Sequence, residues 1–264
     1  MTSALFVLPP GDCPLHPFRK YSSPLGSVLP PYWPPGTRHV AARHAFTTLA
    51  LHLIRKGPAM IKVHHLNRSR SHRILWLLEE LEQPYTIIPY TRDAQTNLAP
   101  PELSLVHPLG KSPMIEIDGT LIVESAAIVE TLCTRYAPDM IPDRDTAAYL
   151  RHLELIHFAE GSAMTPILLN LYVSRLGDAG KPLHPRISSE LDNHYRYMNS
   201  LVRPSGHFVL DRLSAADIML SFPAEIAMRQ KRGDDFPALA GFVEMIQDRP
   251  AYRRATEKGR VAGD

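Results

Sequence analysis

The chain has 264 residues, room for one large domain or two small ones, with 44% hydrophobic residues and a formal net charge of +2. So small a charge gives no broad basic face for nucleic acid or anionic lipid, and no apolar run approaches the roughly 20 residues that a membrane helix needs. Two cysteines, Cys13 and Cys133, form neither a disulfide framework nor a zinc-ligand pattern, which suits a reducing, cytoplasmic compartment.

Residues 1–59 differ in texture from the rest. Ten of the 25 prolines fall there, and Asp12 is the one acidic residue. Such a stretch cannot readily build a packed core, and we read it as a Pro-rich, disordered extension upstream of a start at Met60. A basic targeting segment is the alternative, although the prolines oppose a long amphipathic helix.

From Met60 the pattern becomes regular. Ile61 to His65 reads as a strand, and Arg73 to Leu81 places apolar residues at 74, 77, 78 and 81, a helical stripe. Tyr85 to Ile88 is a second strand after Pro84. A loop-rich stretch follows. Met114–Ile117 and Leu121–Val123 then flank Asp118-Gly119, a hairpin signal. Ser125 to Tyr136 reads as a helix capped by its own serine. This is an α/β layer over residues 60–138, joined by a linker at 139–144 to a part without strand signals. There, Tyr149 to Leu171 reads as one long helix or two, bent at Pro166. Further helical stripes follow at Ile187–Leu201, after the capping-box-like Ser214-Ala-Ala-Asp217, and at Leu239–Ile246. An all-helical domain over 145–256 and a short tail, 257–264, complete the expected α/β plus all-α architecture.

Several spots in the first part can carry chemistry. Pro113 heads a strand, where proline removes a ladder donor. Either the Ser112-Pro113 bond is cis, turning the Ser112 backbone outward as an edge for an extended peptide, or a trans proline protects that edge. Glu124-Ser125 opens a helix whose N-terminus favours a carboxylate, or is a plain cap with an acidic neighbour. Asn67-Arg68-Ser69-Arg70-Ser71 lies between the first strand and helix. It sets a hydroxyl before the sheet or supplies only turn chemistry, its arginines and Arg73 being merely solvated. His64 and His65 point to opposite faces of a strand, which argues against a metal site with His72.

Taken in order, these segments bear a resemblance. VHPLGKSPMIEIDGTLIVES, residues 106–125, resembles the glutathione-binding half of a glutathione transferase. SRSHRILWLLEELEQPY, residues 69–85, is similar to the first helix and second strand of serine-type, theta-like members. YTRDAQTNLAPPEL and HFAEGSAMTPIL resemble a fungal and bacterial subgroup that includes a yeast endoplasmic-reticulum-associated enzyme. LSAADIMLSF and RPAYRRA resemble the capped core helix and last helix of the family's second domain. The resemblance covers about residues 60–256.

It implies a thioredoxin-like first domain, a helical second domain and a homodimer, with glutathione as co-substrate and no metal. Ser69 then takes the thiol-facing place, with Ser71 and Asn67 as competitors. Lys111 faces the glycine carboxylate of glutathione, Ser112 and a cis Pro113 the cysteinyl backbone, and Glu124 and Ser125 the γ-glutamyl end. Many theta-like relatives carry a basic residue where this chain has Leu98, so that contact is missing or comes from Asn97 or Arg92. Phe158, Ser162 and Met164 are expected to line a pocket for a hydrophobic electrophile, with helix core as their alternative role.

The implied chemistry is activation of a thiol whose free pKa is roughly 8.5. A shift of about two units needs roughly 2.7 kcal/mol of preference for the anion. One hydrogen bond to a charged group supplies about 1.5–3 kcal/mol, so a serine donor beside a helix end suffices. The expected function is conjugation of glutathione to small hydrophobic electrophiles in detoxification. Glutathione-dependent peroxidase or disulfide-reductase activity is one alternative, and a non-catalytic ligand-binding protein of the same fold is another. Cysteine-type relatives place a cysteine where Ser69 stands, and Cys133 reads as a small core residue.

Overall fold

The structure, a computed structural model, describes residues 60–261. The expectations for residues 1–59 lie outside this range. Four strands form one mixed sheet in the order β2-β1-β3-β4: β1 (Ile61–Leu66), β2 (Tyr85–Tyr90), β3 (Met114–Ile117) and β4 (Thr120–Val123). β1 and β2 run parallel and are joined by helix α1 (His72–Glu80), while β3 is antiparallel to both β1 and β4. Pro89 is accommodated because β2 is an edge strand, where a missing donor costs no ladder bond. The β3–β4 hairpin turns on Asp118 and Gly119, both at positive φ, +50° and +81°. That is the geometry of a two-residue primed turn, which an Asp-Gly pair adopts with little strain. The expected loop-rich stretch holds one short helix, α2 (Glu102–Val106), and α3 (Ser125–Tyr136) follows the sheet.

Beyond 3₁₀ turns at Pro138–Met140 the described chain is helical: α4 (Ala147–Phe158), α5 (Met164–Val173), α6 (His184–Leu201), α7 (Ala215–Arg229), α8 (Pro237–Gln247) and α9 (Pro250–Lys258). The break between α4 and α5 is not at Pro166. It is a π-helical turn at Ala159–Ala163, and Pro166 sits in the first turn of α5. The physical reason is that proline offers no N–H and crowds the carbonyl four residues earlier, so the register loosens upstream of it. Helix α7 starts as its sequence suggests. The Asp217 carboxylate accepts from the Ser214 N–H and hydroxyl, both over 2.7 Å, and from the Phe208 N–H over 2.9 Å.

A single buried cluster joins the parts. Ile61, Val63, Ile115 and Ile117 of the sheet and Ile74 to Leu78 of α1 pack in one core with Leu155, Ile156, Ile218 and Leu220 of the helices. This shared packing is what holds the sheet's open end at a fixed distance from α5 and α7. The last helix is tied back to α1. Glu79 accepts from Tyr85, Arg254 and Lys258, and Glu80 from Trp76 and Arg249. Among the described residues no helix is long and apolar enough to cross a membrane.

Candidate functional site

A cavity of about 1440 Å³ opens at the ends of β1, α1, β3, β4 and α3, and is closed on its other side by α5, α7 and α9. Its floor holds Ser69, Lys111, Ser112, Pro113, Glu124 and Ser125. The structure therefore brings together six residues that lie up to 56 positions apart in the chain.

The loop after β1 holds all three candidates for the thiol-facing place, in different surroundings. Asn67 is buried and used: its Oδ1 accepts from the Arg92 N–H over 2.9 Å, and its carbonyl from Arg92 Nε over 3.2 Å. Ser71 is fully buried, with its Oγ 2.9 Å from His65 Nδ1 and 3.2 Å from the Leu66 N–H. Neither lines the cavity. Ser69 does, and its Oγ lies 2.7 Å from Ser71 Oγ while accepting from the Ser71 N–H over 3.2 Å. The same turn delivers the first helical amides of α1 next to it, so that the positive end of the helix faces the cavity.

On the opposite wall the Ser112-Pro113 bond is cis. The Ser112 hydroxyl is anchored on the His64 carbonyl over 2.9 Å, which leaves its backbone at the cavity edge. Glu124 sits at φ +67°, an uncommon conformation for a residue with a Cβ, and this turns its side chain into the cavity ahead of α3. The cap position of α3 is thus Glu124, and Ser125 is its first helical residue, without a side-chain cap bond. The Ser125 hydroxyl accepts from Arg73 Nη2 over 2.6 Å.

Arg73 is the residue that sequence reasoning misplaced. It is not solvated but 1% exposed, and it donates to the Met219 carbonyl of α7 over 2.7 Å, to Ser125 and to Glu160. Burial pulls its pKa down, and the Glu160 carboxylate opposes that. Arg70 lies 2.9 Å from the other Glu160 oxygen. Glu160 was not anticipated. The signal available was an acid within an otherwise apolar stretch at a helix break, in HFAEGSAMTPIL. The ring of Phe222 lies under three guanidinium groups, those of Arg70, Arg73 and Arg229, at 5.7, 5.8 and 5.8 Å.

The expected electrophile pocket is only partly assembled from the residues named for it. Met164 lines the cavity, beside Ile167 and Leu168 of α5 and Phe222 and Ile226 of α7. Phe158 does not: its ring packs on α6 instead, against His194 and Tyr197. Ser162 faces outward from the π-helical turn and is exposed. The extra residue in that turn rotates the helix face by more than a quarter turn, which a regular helical spacing does not anticipate. Leu98 is exposed at the cavity mouth, and Arg68 Nη2 and Arg92 Nη1 converge on the neighbouring Asn97 over 3.3 and 3.1 Å. Among the described residues, no cluster of three His, Cys, Asp or Glu side chains is arranged to hold a metal ion.

Comparison with known proteins agrees with this architecture. A profile of the glutathione S-transferase N-terminal domain matches residues 68–135. Glutathione S-transferase 1 of Saccharomyces cerevisiae is 30% identical over 230 residues, covering 77% of this chain and 97% of the relative. Glutathione S-transferase 3 of Schizosaccharomyces pombe is 34% identical over 216 residues, covering 75% and 88%. A crystal structure of a glutathione S-transferase from Actinobacillus pleuropneumoniae superposes with a TM-score of 0.69 at 30% identity, covering 76% of this chain and 93% of that one. The chain belongs to the glutathione S-transferase family, with a thioredoxin-like first part and a helical second part.

Proposed function

We propose that this enzyme binds glutathione on the cavity floor and conjugates its thiolate to small hydrophobic electrophiles. Ser69 carries the reading: of the three candidates in its loop, it is the one that lines the cavity. In this reading Lys111 holds the glycine carboxylate, with Arg68 or Arg92 replacing the basic contact missing at Leu98. Ser112 and Pro113 present backbone to the cysteinyl residue, and Glu124 and Ser125 receive the γ-glutamyl amine and carboxylate. The sulfur then lies before Ser69 and the N-terminus of α1. One donated hydrogen bond and the helix end favour the thiolate. The electrophile takes the apolar side, against Met164, Ile167, Leu168, Phe222 and Ile226, where dispersion and burial hold it without a fixed polar pattern.

The family resemblance supports a homodimer and a detoxifying role, and the low cysteine content supports a reducing, cytoplasmic location. A pairing face is available in the exposed Leu105 and Leu109 beside the cavity. Light scattering of the purified chain tests the dimer.

The function is tested by turnover of glutathione with a panel of aryl halides, enals and organic hydroperoxides, using wild type and Ser69→Ala. Loss of a hydrogen bond to the anion, about 1.5–3 kcal/mol, corresponds to a roughly ten- to hundredfold fall in kcat/KM for conjugation. Peroxide reduction that exceeds conjugation would replace the transferase reading with a peroxidase one. Binding of glutathione with no Ser69-dependent turnover would leave a ligand-binding protein.

A further inference from the structure

Behind Ser69 the hydrogen bonds continue inward. Ser69 Oγ lies 2.7 Å from Ser71 Oγ, Ser71 Oγ lies 2.9 Å from His65 Nδ1, and His65 Nε2 lies 2.9 Å from the Gly259 carbonyl. A carbonyl oxygen only accepts, so Nε2 carries a proton and the neutral ring keeps its lone pair on Nδ1. That lone pair faces Ser71. Gly259 is needed for the approach: a Cβ there would stand 2.9 Å from Leu75 Cδ1 and 3.3 Å from His65 Nε2.

We propose that His65 is the acceptor of the glutathione proton, which reaches it through Ser69 and Ser71. The proposal rests on the transferase reading given above and goes beyond a serine that merely donates to the sulfur. Before transfer, Ser71 accepts from the Leu66 N–H and from Ser69, and its one proton has two acceptors in reach, Nδ1 at 2.9 Å and the Leu66 carbonyl at 3.2 Å, of which the relay uses the nearer. Ser69 donates to Ser71, accepts from the Ser71 N–H and has one lone pair left for the thiol. Three protons then each move one place. The S–H bond breaks as Ser69 gains a proton, Ser69 passes its own to Ser71, and Ser71 passes its own to Nδ1. The products are a thiolate and an imidazolium, with both serines restored and no electrons exchanged.

Both end states satisfy every hydroxyl. After transfer the imidazolium donates from both nitrogens, Ser71 donates to Ser69, and Ser69 donates to the thiolate. A neutral thiol and neutral histidine become an anion and a cation joined through two hydroxyls, so the site gains no net charge. Once the thiolate has been consumed, the imidazolium returns its proton to solvent. Around His65, β2 places Pro89 opposite in register, the loop before α1 presents Ser71, α1 presents His72, and the C-terminal segment presents the Gly259 carbonyl. Of these groups His72 is titratable. Burial and the neighbouring His65 push its pKa down to about 4, so it stays neutral and does not compete for the proton at neutral pH.

The distinguishing measurement counts protons in the wild-type chain. Glutathione is titrated calorimetrically at about pH 7.5, a unit above the ordinary imidazole value, in buffers of different ionisation enthalpy. Thiolate is followed by its ultraviolet absorbance. The relay predicts thiolate formation with close to zero protons released, and a ¹⁵N histidine signal that changes at Nδ1 from unprotonated to protonated. His65→Gln and Ser71→Ala should raise the pKa of the bound thiol by a unit or more and lower kcat at least tenfold, with the KM for glutathione within twofold. Ser71→Thr should recover most of the loss. Release of one proton per thiolate in the wild type overturns the relay and leaves the transferase reading standing. Failure to bind glutathione, or to form thiolate, overturns both.

Discussion

Nη2 of Arg73, on α1, donates to the Oγ of Ser125, on α3, over 2.6 Å, while Nη1 of the same guanidinium donates to the Met219 carbonyl on α7 over 2.7 Å. One buried side chain therefore fixes the cavity floor to the helical wall. Its charge is met most closely by Glu160, which is shared with Arg70, and further off by Glu225. Removing Arg73 takes away its hydrogen bonds to Ser125 and Met219 and one of the two counter-charges of Glu160, which keeps Arg70 at 2.9 Å and is partly exposed, so the cost is about 1–3 kcal/mol. Arg73→Met should therefore lose most of that amount in urea unfolding. It should also raise the KM for glutathione, since Ser125 loses its anchor. A loss under about 1 kcal/mol would show that solvent reaches Glu160 and that the bridge is not structural.

The contrast between Arg73 and Asp217 shows what a sequence can disclose. Asp217 was legible because a capping motif is local: three residues of spacing determine which amide meets which oxygen. The Asp-Gly hairpin was legible for the same reason. Arg73 was not, since its partners lie 52, 87 and 146 positions away. No periodicity encodes such distances. Phe158 failed differently. Its helix was foreseen, but a π-helical turn after it redirects every side chain near the break, and the proline that causes it was read as the bend itself. Ser69, Ser71 and Asn67 could not be told apart by spacing, because which of them lines the cavity depends on how the loop after β1 folds back on β1 and β2.

Asp217 gathers three donors at zero exposure: the Ser214 N–H, the Ser214 hydroxyl and the Phe208 N–H. Asp217→Ala leaves at least two buried amides unpaired, each at about 1–3 kcal/mol. The expected loss is about 3 kcal/mol or more, visible as a large fall in Tm. Asp217→Asn keeps one acceptor oxygen and should lose less. Equal losses for the two would mean that the charge, not the acceptor geometry, sets the contribution.

His72 makes stability depend on pH. Burial is the main cause that pushes its pKa down to about 4, and His65 and Arg229 add to it. In the unfolded chain it titrates near 6.5. A depressed value means that the unfolded state binds the proton first on acidification. The contribution is present above about pH 6.5 and is lost as the pH falls to about 4, where it levels off. Fully expressed, the difference is about 3 kcal/mol. His72→Gln keeps a donor for Thr256, which lies 3.0 Å from His72 Nε2, and removes the titration. Its unfolding free energy should vary less than that of the wild type between pH 7 and 4. Parallel curves would show that His72 is protonated in the native state.

Cys133 tests the tightness of the core behind the site. It is fully buried on α3, and burial pushes its thiol up to about 12. Only the thiolate reacts readily, and no path leads from solvent to the sulfur without opening the helix. In a Cys13→Ser background, a disulfide reagent should label Cys133 through that opening and not through the native state. With an opening free energy of at least about 4 kcal/mol, labelling should be roughly a thousandfold slower than for a free thiol. Urea should accelerate it along the global unfolding curve. Fast labelling that does not respond to urea would mean that α3 opens locally, and a floor built on Glu124 and Ser125 would then not be preorganised for glutathione.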